Sequence, residues 1–249
     1  ASENTATGSE TQNSDTEDTS AEDTSTKGVK AGGDLLVKDG TFTIDSCDDS
    51  LHTNGNMTIC GGTYTLSTGD DGMHADEANH VYGGEITIET CYEGIEGQNM
   101  ESSGGTIDIT ASDNGNGALD YNGTATITGG TLVAAGMSGM EQNFGSDSTQ
   151  GSLMMNLTDN QSGEITLEDA DGNTLVSYTP MREYNSVVIN CAELSDGSTY
   201  TIHTGENSRE VTMEGLVYTD GEVTNAPGQG GGQKPQGGPM GDNSADSGN

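Results

Sequence analysis

Apolar and polar residues alternate along the middle of the chain. Phe42 and Ile44, Tyr64 and Leu66, Ile86 and Ile88, and Ile107 and Ile109 each flank one polar residue. Val37, Ile59, Val81 and Ile127 stand just ahead of the glycine steps between such segments. A period of two predicts strands with one buried face. The intervening GG and DG steps predict turns, because glycine takes positive φ at little cost.

The alternation recurs at a fixed interval. Gly40, Gly62 and Gly84 are 22 residues apart, as are Leu51, Met73 and Ile95. Three successive units read GVKAGGDLLVKDGTFTIDSCDD, SLHTNGNMTICGGTYTLSTGDD and GMHADEANHVYGGEITIETCYE. A fourth, GIEGQNMESSGGTIDITASDN, is one residue shorter, and a fifth, ALDYNGTATITGGTLVAAG, follows Gly115 to Gly117. Strand, turn, strand, turn at this period predicts an all-β chain, a parallel β-helix of about five coils whose apolar sets stack rung on rung. A leucine-rich repeat needs an L-x-x-L-x-L pattern, which is missing.

The predicted helix spans residues 28–139. Residues 140–225 lose the period and stay β-like, with a hairpin through Asp171-Gly172 and further strands in NSVVINCAEL and GSTYTIHTG. EVTMEGLVYTDG reads as a last pair of strands. This region is expected to cap the exposed terminal rung. EDADGN lacks the full Asp spacing and distal Glu of an EF-hand loop, so it reads as a turn. Residues 1–27 are Ser, Thr, Asp and Glu with no large apolar residue, and 226–249 form a Gly/Pro/Gln tail. Neither buries enough surface to offset the entropy of ordering, so both are expected to be disordered.

Composition sharpens the picture. The chain has 249 residues, 41 acidic against 6 basic, and a formal charge of −35. That charge excludes nucleic acid and anionic lipid as partners. No apolar run approaches a membrane helix. The chain opens on Ala1 rather than Met, as expected where a secretion signal has been removed or was never included. Cys47, Cys60, Cys91 and Cys191 form no C-x-x-C pair, which excludes a zinc ribbon and predicts buried free thiols.

Stacking brings acidic residues together. Asp48 lies over Asp70, and Asp49 over Asp71 and then Glu93, with Asp113 and Asn114 continuing both columns. Beside them run His52, His74, Glu96 and Asp120. At a rung spacing of about 4.8 Å two carboxylates repel by about 1 kcal/mol in water and about 3.5 kcal/mol at an effective dielectric of 20. Lys30 and Lys38 fall outside these columns on this reading, so the chain has too few cations of its own there. Protonation is one remedy and a bound cation the better one. Hard oxygen ligands suit calcium, with Asp48, Asp49, Asp70, Asp71, Glu93, Glu96, Asp113 and Asp120 as candidate ligands. With one histidine per coil and no pair inside a coil, zinc or manganese is the weaker choice. A solvated edge of turn-capping Asp side chains is the non-functional alternative.

The repeated motif in DDSLHTNGN, DDGMHADEA and YEGIEGQN, with intervening GGT-x-T-[IL], resembles the bacterial carbohydrate-binding, polysaccharide-lyase-like parallel β-helix family. The likeness covers roughly residues 28–205 and includes GALDYNGTATITGGTLVAAGMSGMEQ. It implies a right-handed β-helix, secreted or lipid-anchored at the bacterial surface. It also implies calcium held by the Asp-rich turns and binding of plant cell-wall polysaccharide, including acidic pectic chains. Ser50 departs from the pattern, standing where DDG is expected.

Fold does not settle function. A lyase needs a base beside its calcium, and no Lys or Arg is evident in the ladder; Arg182 and Arg209 belong to the cap. A glycosidase needs one protonated carboxyl, which a metal-bound ladder removes. A non-catalytic polysaccharide binder needs less, and a monomer is expected. The candidate ligand-contacting side chains are His52, His74, Tyr92 and Tyr121, with Tyr82 as a further ring for sugar stacking. A lyase or hydrolase on acidic glycans, and a surface adhesin stapled by calcium, are the alternatives.

Overall fold

The computed structural model describes residues 26–112 and 117–221. The acidic N-terminal segment up to residue 25, the tail and Asp113 lie outside the described residues. The described chain is all β, without a helix, and its first part is a parallel β-helix.

The first two coils contribute three short strands each. The first has β1 (Val29–Ala31), β2 (Leu35–Val37) and β3 (Thr41–Ser46), and the second β4 (Leu51–Thr53), β5 (Met57–Ile59) and β6 (Thr63–Thr68). In the third, the first two strands merge into β7 (Met73–Val81), followed by β8 (Glu85–Thr90). The fourth is one bent strand, β9 (Ile95–Thr110), and the fifth has β10 (Leu119–Tyr121) and β11 (Ala125–Gly136). The strand that opens each coil is only three residues long in β1, β4 and β10. That is too short for period two to mark it, and the sequence pattern shows just the other two.

Register follows the repeat. Val29 pairs with Leu51, Leu51 with Met73, Met73 with Ile95, and Ile95 with Leu119, all parallel. On the third face Phe42 pairs with Tyr64, Tyr64 with Ile86, Ile86 with Ile107, and Ile107 with Leu132. Like thus stacks on like, and the Phe42 and Tyr64 rings lie 4.9 Å apart and nearly parallel. The corner before the third face needs a left-handed residue in every coil. Gly40, Gly62, Gly84, Gly105 and Gly130 supply it, with φ between 85° and 138°.

The third face does not stop at the fifth coil. β15 (Tyr184–Asn190) pairs antiparallel with β11, β12 (Ser152–Gln161) pairs antiparallel with β15, and β18 (Val217–Asp220) pairs parallel with β12. One side of this extension, with Leu132, Ala134, Met154 and Val188, closes the solenoid core. The other side, with Val133, Leu153, Val187 and Ile189, packs with an antiparallel sheet of β13 (Ile165–Glu168), β14 (Thr174–Tyr178), β16 (Thr199–Thr204) and β17 (Asn207–Thr212). β13 and β14 form the expected hairpin, and Asp169 Oδ1 accepts the Asp171 and Asn173 amides in its turn. The expected last pair is not a pair: β17 joins β16, whereas β18 crosses to β12. Both reach the same cap core, Val211 beside Tyr200 and Tyr218 beside Leu153. Among the described residues no helix is long and apolar enough to cross a membrane.

All four cysteines are free. Cys91 and Cys191 are buried as expected, but Cys47 and Cys60 are exposed.

Candidate functional site

The corner between the third face of one coil and the first strand of the next carries the acidic residues. Backbone bonds fix its rungs: the Gly28 amide donates to Asp49 O, Ser50 to Asp71 O and Gly72 to Glu93 O, each at 2.9 Å. Gly72 has a steric reason to be glycine, since a Cβ there would meet Ile88 and the Gly94 carbonyl oxygen below 3 Å. The inner column therefore reads Lys27, Asp49, Asp71, Glu93. Asp49 and Asp71 are each 1% exposed and Glu93 is 7% exposed. The outer column reads Asp48, Asp70, Tyr92, with the Tyr92 amide donating to Asp70 O at 2.7 Å. The third column lies on the opening strands, where Lys30 pairs with His52, His52 with His74, His74 with Glu96, and Glu96 with Asp120. Lys30 thus heads a ladder column, contrary to the sequence reading, because the column continues one coil upstream of the first histidine.

The first rungs carry their own cations. Lys27, which composition places at the end of the acidic linker, lies 2.9 Å from Asp48 Oδ1 and 2.5 Å from Asp49 Oδ2. Burial works against its charge, but Asp49 and Asp48 outweigh burial and raise its pKa. Burial would raise the Asp48 pKa; Lys27 outweighs it and lowers that carboxyl. His52 Nδ1 is 2.7 Å from Asp49 Oδ2. Burial lowers the pKa of His52 despite that partner.

The His74 ring stacks on His52 with centroids 4.8 Å apart. Its Nδ1 lies 2.5 Å from Glu96 Oε2 and 3.1 Å from Asp71 Oδ2, and its Nε2 lies 3.1 Å from Asp76 Oδ1. Burial opposes the imidazolium, but Asp71, Glu96 and Asp76 prevail and raise it to about 10. One Nδ1 proton cannot serve two carboxylates fully. Burial, with Glu96 and Asp70 nearby, pushes Asp71 upward, and its Oδ1 is buried without a hydrogen-bond partner among the described residues.

Beyond His74 the ladder is carboxylate only. Glu93, Glu96 and Asp120 bring one oxygen each within 4.8 Å of the others. Burial, then the charge of Glu96, raises the Asp120 carboxyl. Three further sets meet the same spacing: Asp48, Asp49 and Asp70; Asp49, His52 and His74; and Asp71, His74 and Glu96. Two of the four sets are all-oxygen and suit a hard divalent cation by their chemistry, Asp48, Asp49 and Asp70, and Glu93, Glu96 and Asp120. Around Asp48 and Asp49 a lysine ammonium already supplies the positive charge.

The tyrosines divide. Tyr92 is 39% exposed and follows Asp48 and Asp70 in the outer column. Tyr82, 46% exposed, sits on another corner beside His80. Tyr121 is buried instead: its hydroxyl donates to Asn143 O at 2.6 Å, and Gln142 brackets its backbone. The chain entering the cap covers it, and no periodicity announces that cover. Arg182 also departs from expectation. The loop after β14 returns it to the solenoid, where Nη1 donates to Cys91 O at 3.3 Å.

A family model described as a carbohydrate-binding domain-containing protein matches residues 3–72. That stretch takes in the first two coils, Lys27, Asp48, Asp49, Asp70 and Asp71. No curated protein and no solved structure matches the chain. The match and the solenoid together fit a carbohydrate-binding β-helix.

Proposed function

We propose that this protein is a non-catalytic, calcium-dependent polysaccharide-binding module acting outside the bacterial cell, with plant cell-wall or pectin-like glycan as its ligand. The observation that carries the reading is the Glu93, Glu96 and Asp120 cluster beside the exposed ring of Tyr92, within a fold that fits the carbohydrate-binding match. Calcium bound there supplies coordination sites for sugar hydroxyls or carboxylates. Glu93, Glu96 and Asp120 hold the cation, and Tyr92 offers a face for a pyranose ring. Burial raises Asp71 and Asp120, and a bound cation opposes that rise, so the loaded cluster would hold no protonated general acid. Arg182 brings to the corner a basic residue of the kind the sequence reading found missing; its contact there is a backbone carbonyl, and the assay for unsaturated ends tests it as a lyase base.

The test is retention on immobilised polygalacturonate with calcium and then with chelator, reading unsaturated products and reducing ends on the same samples. Calcium-dependent retention without new ends is the expected result. New ends mean an enzyme. Calcium binding without retention on this or other glycans leaves the cation as a structural staple.

A further inference from the structure

The cap loop after β14 is held against the solenoid at two points. Tyr178 Oη lies 2.7 Å from Thr110 Oγ1, and the Met181 amide donates to the same Thr110 oxygen at 3.2 Å. This clamp places Arg182 on the carbonyl of the Cys91–Tyr92 peptide. The guanidinium thus sits on the peptide that precedes Tyr92, whose side chain is 39% exposed. In a chain with 41 acidic residues, Arg182 makes no ion pair among the described residues, whereas Arg209 pairs with Asp220 at 2.8 Å and Lys27 with Asp48 and Asp49. Its one hydrogen bond is long and uses one of five N–H donors. The others form a planar fork whose natural complement is a carboxylate.

We propose that Arg182 and Tyr92 form a subsite for a uronate residue, the guanidinium taking the sugar carboxylate while the ring packs on the tyrosine. The assignment rests on the glycan-binding reading and deepens it: Arg182 sets the preference for an acidic over a neutral chain. A glycan lying across the outer column passes Asp48 and Asp70 before Tyr92, so only at this end does a cation from the cap offset the repulsion of the corner.

The experiment measures affinity for polygalacturonate and for its methyl ester, at one calcium concentration and one ionic strength. Wild type is expected to favour the acid polymer, and Arg182→Gln to lose about tenfold of that preference. Arg182→Lys keeps the charge without the fork and should fall between them. Circular dichroism melts of both variants separate loss of preference from loss of fold, and should one variant melt early the other still reports. A preference that persists in Arg182→Gln assigns acid selectivity to calcium and overturns the subsite. Equal affinity of wild type for both polymers also overturns it, while leaving glycan binding intact. Absence of binding to either polymer and to neutral cell-wall glycans removes the glycan reading and the subsite with it.

Discussion

The two halves of the acidic ladder come from one repeat and are balanced differently. In the first three coils Lys27, His52 and His74 lie against Asp48, Asp49 and Asp71 at 2.5 to 3.1 Å. From the end of the third coil onward Glu93, Glu96 and Asp120 converge, and the nearest cation, His74, is already shared with Asp71. Rung spacing is common to both halves, so spacing alone does not create a cation site. What distinguishes the halves is whether the column also carries a base.

Removing Lys27 should turn the first kind of rung into the second. Asp49 has a 2% exposed side chain and would keep only His52, so losing Lys27 should cost up to about 3 kcal/mol, the scale for stripping a buried charge of its partner. Lys27→Met is therefore expected to lower the urea unfolding midpoint sharply in chelator. It should also gain a calcium equivalent in titration calorimetry, because Asp48, Asp49 and Asp70 bring one oxygen each within 4.8 Å of the others and no longer face the ammonium. Adding Asp49→Asn should restore much of the stability. A Lys27→Met protein as stable as wild type would show that the first rungs are not self-neutralised.

The converse concerns the carboxylate half. Calcium at about one hundred times its dissociation constant should stabilise the fold by about 2.7 kcal/mol, read as a rise in melting temperature over the chelated protein. Asp120→Asn should remove most of that rise, and Asp48→Asn should leave it. Equal effects from both variants would place the ion elsewhere on the ladder.

Much of this was open to reading in the sequence, and the failures have physical causes. The period places Leu51, Met73 and Ile95 in one stack and aligns His52, His74 and Glu96, because a parallel coil turns sequence interval into register. Lys27 stands 49 − 27 = 22 residues before Asp49 and was legible on the same rule, had the repeat been carried one rung into the polar segment. Arg182 was not legible. Its contact spans 91 residues and depends on a cap loop that follows no period. The burial of Tyr121 is of the same kind, since its cover comes from Gln142 and Asn143 in a segment without repeat.

His74 links the halves, and its titration measures the link. Its pKa is raised to about 10, so its stabilising charge is complete below about pH 6.5, the unfolded value, and is lost as pH climbs toward about 10. Asp71 and Asp120 are also raised. Acids shifted upward lose stability as pH rises above their ordinary range, in the same direction. Lowered His52 acts oppositely, but only below the unfolded histidine value. In chelator, the unfolding midpoint should therefore fall between neutral and alkaline pH, and His74→Gln should flatten the fall. Calcium should flatten it as well, by supplying positive charge that does not titrate. An equally steep fall in His74→Gln would assign the slope to other groups.

The smallest effects separate the two tyrosines that the sequence could not tell apart. Tyr121→Phe removes the hydroxyl that Asn143 O accepts at 2.6 Å and should cost about 1 kcal/mol of stability, with glycan affinity unchanged. Tyr92→Ala gives up an exposed ring and should leave the melting temperature near wild type. It should weaken glycan binding by about 1 kcal/mol, the scale of a packed aromatic contact. The pair is informative because the residues differ in cover, not in chemistry: the cap closes over one, while the corner holds the other open beside the acidic columns. Loss of glycan affinity in Tyr121→Phe with none in Tyr92→Ala would move the binding face away from the outer column and toward the junction of the fifth coil with the cap.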